Sequence, residues 1–351
     1  MKIKLIILVF FTINLVISQN VIEIKGTINE KNRDKDSIYL ISGNLNKLYF
    51  EKYIYSSEIK DNSFLLKGTF SYPQMFRVSL RSEKDRVAFR SGFYFIDETT
   101  KEISLDSVKK NCEVIGVSGF EYKNKFLPYF IEKNQQKSLE AYCYNGGEEF
   151  DAKLLSYVIK NPNSFVALWV LIERFNLNGY LDIYKNTLNY FSSRLKTEKL
   201  WKILNNEIKQ ISIRKNENFP KLYLKNVNLK GESLILPKNK FIFIDFWFSN
   251  CKPCLEQLPM LKKLYNQYKN QGFEIISIST DKTKFIDNWK KRIIENKIPW
   301  ENYLDENATI ATKEKIFAFP TNLLIDQNGK VLKKDIELED LENFLSKNLK
   351  E

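Results

Sequence analysis

The 351-residue chain predicts an α/β fold at its C-terminal end and a β-rich sandwich or barrel at its N-terminal end, joined by a helical segment. Three observations carry this. An almost unbroken apolar run, Phe241 to Phe248, leads through Ser249 and Asn250 into a helix opened by two cysteines. Short apolar runs alternating with polar residues fill Val21 to about Ile115, separated by turn signals. From about Glu121 to Ile213 the apolar residues recur at helical spacing instead. The expected divisions are a targeting segment at 1–18, a β-rich domain at 19–118, a helical linker region at 119–215 and the α/β domain at 216–351.

Met1 to Ser18 has the build of a signal peptide. Lys2 and Lys4 form a basic start, and Leu5 to Ile17 is an apolar run too short to span a bilayer comfortably. Val16 and Ser18 suit cleavage after Ser18, and an uncleaved anchor is the alternative. No cysteine follows, which argues against a lipoprotein anchor. Either way the body is expected in the periplasm or cell envelope, where disulfides persist. The net charge is +12, but the lysines are dispersed among Asp, Glu and Asn, with no basic stripe interleaved with aromatics. That pattern reads as a solvated surface and excludes nucleic acid as the expected partner.

In the β-rich part, Ile22, Ile24 and Ile28 alternate with polar residues around Gly26. Ser37–Ile41, Phe64–Phe70, Phe76–Leu80, Val87–Ile96 and Glu102–Leu105 are further strands, separated by Gly43-Asn44, Asp61-Asn62 and Tyr72-Pro73. No catalytic constellation stands here. In the helical part, Phe126, Leu127, Phe130 and Ile131 share one face, and Leu154, Leu155, Val158 and Ile159 share another. Asn161-Pro162-Asn163-Ser164 breaks the pattern and starts the next helix. Val166–Phe175, Leu181–Phe191 and Leu200–Ile211 continue it. The aromatic stripe Trp169, Phe175, Tyr180 and Tyr184 reads as core rather than as a groove.

Beyond Phe219-Pro220, an extension from Lys221 to Leu236 turns near Lys230-Gly231. The strand Phe241–Phe248 suits burial on both faces. The helix Pro253–Asn270 follows, with Pro259 inside it as a kink. Then come strand Phe273–Ser279 closed by Asp281, helices Phe285–Glu295 and Thr309–Phe317, and a hairpin of Thr321–Ile325 and Lys330–Lys333 around Gln327-Asn328-Gly329. Helix Leu338–Leu349 closes the order β-α-β-α-β-β-α.

Ser249 and Asn250 are turn and N-cap residues. Cys251 and Cys254, three apart, share one face of the first helical turn. Pro253 is tolerated there because the first N–H groups of a helix have no partner within it. The positive helix end and neighbouring Lys252 favour a thiolate. Cysteines so placed have pKa values of about 3.5–7.5 against about 8.5 for a free thiol. Cys251 is thus the expected exposed nucleophile and Cys254 the resolving thiol. A zinc half-site or a static disulfide is the bland alternative. Zinc normally takes four protein ligands, or three and water. This chain has no histidine and only four cysteines, the other two, Cys112 and Cys143, being far away. No metal is expected. Cys112 and Cys143 either pair or stay as buried thiols.

Asp245-Phe246-Trp247, Cys251-Lys252-Pro253-Cys254, Pro259, Phe319-Pro320-Thr321 and Leu324-Ile325-Asp326-Gln327-Asn328-Gly329 occur in one order. From near Phe219 to the C-terminus the chain resembles the thioredoxin-fold domains of the TlpA/ResA class of extracytoplasmic thiol–disulfide oxidoreductases. The β-rich part is similar, more loosely, to the domain of unknown function that often precedes them. The resemblance implies exchange with protein disulfides, probing of substrates by Trp247, Asn250, Lys252, Pro253, Phe319, Pro320 and Thr321, and no cofactor. By analogy it implies a membrane electron donor, and a reductase rather than an oxidant. The matching proline in the family is cis and leaves a backbone edge free for an incoming peptide, which implies that role for Pro320. Asp245 matches the buried aspartate of thioredoxin, and a buried carboxyl with a raised pKa suits proton transfer near neutral pH. Two departures stand out. Asn250 occupies the family's usual tryptophan position, and Gln257 the position where ResA-type proteins carry an acid. Glu256 is adjacent but about 100° around the helix. A thioredoxin-fold peroxidase, or an envelope binding protein whose N-terminal domain carries the main role, are the competing readings.

Overall fold

A computed structural model describes residues 21–29, 35–43, 45–52, 54–82, 89–106, 111–131, 142–143 and 145–349. The targeting segment expected at 1–18 lies outside the described residues, as do Val87 and Ala88 at the start of one expected strand. The chain divides into two compact units, Met1–Lys133 and Asn134–Glu351. Among the described residues, no helix is long and apolar enough to cross a membrane.

The first unit is built on two four-stranded sheets rather than one closed barrel. One has the order β4-β1-β7-β8, from β4 (Ser63–Gly68), β1 (Ile22–Ile28), β7 (Glu102–Asp106) and β8 (Asn111–Ile115). The other has the order β3-β2-β5-β6, from β3 (Ile54–Glu58), β2 (Ser37–Ile41), β5 (Gln74–Arg81) and β6 (Phe89–Ile96). Alternation buries Ile24 and Ile28 on one side of β1. Gly26 falls on that same side by the same alternation and pairs with Phe64, whose ring lies 1.9 Å from where a Cβ would stand. The glycine makes room for the aromatic ring of its cross-strand neighbour. Sequence reading missed β3 and β8. Both are short, carry polar residues at alternate positions, and lie at the edge of their sheet, where only one neighbour enforces the pattern. Helix α1 (Val117–Glu121), a π-helical turn at Tyr122–Phe126 and helix α2 (Leu127–Phe130) end this unit, with Phe126 and Phe130 buried.

The second unit opens with helices α3 (Gly147–Lys160), α4 (Phe165–Asn178), α5 (Asp182–Asn189), α6 (Ser193–Lys196) and α7 (Lys199–Gln210). Ser164 caps α4 by accepting the Ala167 N–H. Trp169, Phe175, Tyr180 and Tyr184 are core, as the sequence indicates. The same helices enclose a buried ion pair between Arg174 and Asp151. The Arg174 guanidinium meets the Asp151 carboxylate through Nε at 2.7 Å and Nη2 at 2.8 Å, and also donates to the carbonyls of Cys143 and Gly147. Tyr184 completes the site by donating to Asp151 at 3.1 Å.

A seven-stranded sheet follows in the order β10-β9-β13-β12-β11-β14-β15. Its strands are β9 (Tyr223–Lys225), β10 (Gly231–Ser233), β11 (Phe241–Trp247), β12 (Phe273–Ser279), β13 (Glu301–Leu304), β14 (Thr321–Asp326) and β15 (Val331–Lys334). Strands β11, β12 and β13 run parallel, and β14 runs antiparallel to β11. Every residue of β11 is buried, and the strand feeds two cores. Ile242, Ile244 and Phe246 pack with Leu323, Ile325 and Ala311 on one face. Phe241 and Phe243 pack with Leu258, Leu261, Leu264, Leu341 and Leu345 on the other. The second group comes from helices α8 (Lys252–Tyr268) and α11 (Leu338–Asn348). Helix α9 (Ile286–Glu295) precedes β13, and α10 (Thr309–Lys313) follows it. Strand β13 is absent from the order read off the sequence. Its four residues include Asn302, which is buried with its amide donating to the Trp300 carbonyl, so the apolar signal of a strand is broken. Helix α10 stops at Lys313, short of the expected Phe317, and Lys315 adopts a φ of 57°.

Glu314 ties the helices to this sheet domain. Buried, its carboxylate accepts from the Ser212 and Ile213 N–H groups at 2.8 Å each and from the Ser212 hydroxyl at 2.5 Å. Glu314→Ala leaves those two N–H groups without an acceptor and should lower stability by about 2 kcal/mol. Urea unfolding of the full chain checks this, and an unchanged midpoint would refute the assignment.

Candidate active site

The apolar strand β11 ends at Trp247, and the chain must turn before α8 begins. Cys251 closes that turn through its N–H to the Phe248 carbonyl at 2.9 Å. Cys251, rather than the expected Asn250, is the helix N-cap: its Sγ accepts the Cys254 N–H at 3.2 Å. Asn250 is exposed, and its side-chain oxygen accepts instead from Asn288 at 2.9 Å. A sulfur therefore sits where helix N–H groups favour negative charge, the property the chemistry of a thiolate needs.

Cys251 and Cys254 form a disulfide with S–S 1.96 Å. Both are buried, Cys251 at 3% exposed and Cys254 at 1%. The expectation of an exposed Cys251 is corrected here, and the cause is the cluster around the pair. Trp247, Trp289 and Leu304 are buried against it, with Phe248, Leu255 and Phe319 partly buried at its border. Phe248 and Phe319 meet edge to face at 5.5 Å, linking the cysteine turn to the loop before β14. The indole N–H groups of Trp247 and Trp289 have no hydrogen-bond partner among the described residues.

The Phe319-Pro320 peptide bond is cis. Thr321 begins β14, pairs with Phe246, and donates its hydroxyl to the Ala318 carbonyl at 2.9 Å. Asn250, Lys252 and Pro253 are exposed, and Phe319 and Pro320 are half-buried. Trp247 and Thr321 lie beneath the surface. Lys252 forms an i,i+4 ion pair with Glu256 at 3.7 Å, largely in solvent, where such pairs contribute little.

Asp245 is 2% exposed in the middle of β11. Burial pushes its carboxyl up to about 7, while a hydrogen bond with Ser277 pulls the other way. Gln257, three residues after Cys254 and so on the same face of α8, directs its amide at Asp245 Oδ1 over 3.4 Å. The family's acid position is thus in contact with the buried aspartate. Cys112 and Cys143 are both buried thiols, not bonded to each other. Burial pushes the Cys112 thiol up to about 12. Among the described residues no group of three or more His, Cys, Asp or Glu side chains could hold a metal ion.

Sequence reading passed over Asp281 as the end of a strand and did not single out Asn288 or Trp289. The one available signal was an acidic residue following an apolar strand, which is ambiguous without the donors that meet it.

Residues 239–331 match the family model described as thioredoxin-like. The thiol-disulfide oxidoreductase ResA of Bacillus cereus is 35% identical over 126 residues, 34% of this chain and 71% of that protein. ResA of Bacillus subtilis is 29% identical over 123 residues, 35% of this chain and 67% of that protein. Among solved structures, the thioredoxin domain of a thiol-disulfide oxidoreductase from Bacteroides vulgatus is 31% identical with a TM-score of 0.36, covering 40% of this chain and all of that one. With a C-terminal domain of thioredoxin-like fold and this similarity to ResA, the chain belongs to the ResA family of thiol–disulfide oxidoreductases.

Proposed function

We propose that this protein is an exported reductase of protein disulfides that works through Cys251 and Cys254. The observation that carries the reading is the pair itself, at the start of a long helix whose Cys254 N–H is capped by Cys251 Sγ, with the buried carboxyl of Asp245 on the strand that leads into it. In the reduced protein the Cys251 thiolate attacks a substrate disulfide. A mixed disulfide forms and one substrate thiolate leaves. Cys254 loses its proton and attacks Cys251 Sγ. The second substrate thiolate leaves, and the substrate has gained two electrons while the pair has become a disulfide. Asp245 accepts the Cys254 proton. Asn250, Lys252, Pro253, Phe319 and Pro320 meet the substrate, while Trp247 and Thr321 hold that surface from beneath. The division of the chain at 18, 118 and 215 goes with this reading. The segment 1–18 directs export to the periplasm or cell envelope, and N-terminal sequencing of secreted protein that begins at Gln19 checks it. A membrane protein re-reduces the pair there.

The test is reduction of insulin by the full chain with dithiothreitol as donor. Turbidity should rise well before the donor-only control. No acceleration over the donor alone would end the reading.

A further inference from the structure

We propose that Asp281 is a positioning residue for Cys251, holding the turn from Ser249 to Asn250 from below. This rests on Cys251 being the nucleophile, as proposed above. Asp281 follows β12 and is 3% exposed. Its Oδ2 accepts the Ser249 N–H at 2.8 Å and the Ser279 hydroxyl at 2.7 Å, and its Oδ1 accepts the Ser249 hydroxyl at 2.7 Å. Ser249 and Ser279 are fully buried. Asn288 on α9 holds the same turn from the side, donating to Ser249 Oγ at 2.8 Å and to Asn250 Oδ1 at 2.9 Å. The carbonyl of Asp281 accepts the Asn307 N–H at 2.9 Å, fixing its own backbone.

The geometry has a purpose the fold alone does not need. Ser249 lies two residues before the cysteine whose sulfur must meet the Cys254 N–H. The turn has no helix or strand of its own to hold it. Two hydrogen bonds donated to one carboxylate fix both the backbone and the side chain of Ser249, which sets where Cys251 begins the helix. Loosening them should pull Sγ away from the helix N–H and leave the thiolate less stabilised.

A competing role acts through charge rather than position. A carboxylate near Cys251 opposes the thiolate, so removing it lowers the pH at which Cys251 reacts. The two roles have opposite signs, and the variants separate them. The charged groups on neighbouring elements, Lys252 and Glu256 on α8 and Asp245 on β11, stay unchanged in all of them. Asp281→Asn keeps an oxygen for the Ser249 N–H and removes the charge. Asp281→Ala removes both. Asn288→Ala loosens the turn from a half-buried side chain and guards against a folding defect in Asp281→Ala.

The experiment is the pH profile of iodoacetamide alkylation at Cys251 in the reduced full chain, with the modified cysteine read by mass spectrometry. The midpoint should rise by roughly one pH unit in Asp281→Ala, a tenfold loss of thiolate at lower pH. It should rise less in Asn288→Ala and stay close to wild type in Asp281→Asn. A lowered midpoint in both Asp281 variants, or wild-type profiles in both Asp281→Ala and Asn288→Ala, would overturn the proposal. The readout needs no turnover, so a protein that fails to reduce insulin can still return either answer.

Discussion

Cys251→Ser should abolish disulfide exchange, and Cys254→Ser should leave the first attack intact while trapping the mixed disulfide. A serine hydroxyl does not ionise near neutral pH and cannot carry the redox step, so the loss should be on the order of a thousand-fold or more. Folding should survive the first change, because serine is itself a preferred N-cap and can accept the Cys254 N–H as the sulfur does. The loss then reports chemistry rather than collapse. In Cys254→Ser the resolving thiol is gone, so a covalent adduct should accumulate on Cys251 and be seen as a mass increase on non-reducing gels. The other thiols do not confuse the result. Burial pushes the Cys112 thiol far above neutral pH, and peptide mapping of the adduct separates Cys251 from Cys143. Alkylation of the reduced wild type should label Cys251 before Cys254. The reverse order would exchange their roles.

The parts of the fold that could be read in advance are those where many residues repeat one message. Strand β11 is seven buried residues long and serves two cores, so no polar residue except Asp245 interrupts it. Strands β3, β8 and β13 are four or five residues long and carry polar residues among their apolar ones. Their identity comes from the sheet rather than from their own pattern. The site divides the same way. The cysteines, the proline and Asp245 are spaced along one motif and could be named. Asn250 reads as the cap because capping preference is a local rule, but a cap there would find Pro253, which has no N–H, at its third helical position, whereas Cys251 finds the Cys254 N–H. Asp281 was missed because its meaning depends on Ser249, thirty-two positions earlier, arriving beside it. Gln257 shows the same limit in milder form. Its departure from the family's acid was visible, but its contact with Asp245 was not.

Asp245→Asn should change the protein in two ways that follow from one titration. The carboxyl's ordinary value is 3.8, and burial in the folded chain raises it to about 7. A group that binds its proton more tightly when folded favours the folded state fully below about pH 4. That advantage is lost as pH rises toward 7, where the buried carboxyl must ionise. Three units correspond to about 4 kcal/mol as an upper bound. Asparagine does not titrate, so the stability of Asp245→Asn relative to wild type should climb between pH 4 and pH 8. Urea midpoints of the oxidised proteins at pH 4, 6 and 8 check it, and a constant difference would mean that Asp245 is not buried as described. In the mechanism proposed above, the kinetic consequence concerns Cys254, which loses a proton before it attacks the mixed disulfide. A carboxyl with a value of about 7 can take that proton near neutral pH. Without it, resolution of a preformed mixed disulfide should slow on the order of a hundred-fold at pH 7 and approach wild type at high pH, where solvent base suffices. Gln257 touches Asp245 and lies one turn beyond Cys254, so Gln257→Glu in the Asp245→Asn background should recover part of the lost rate. A pH profile for Asp245→Asn that overlays wild type would assign the proton to water or to another group.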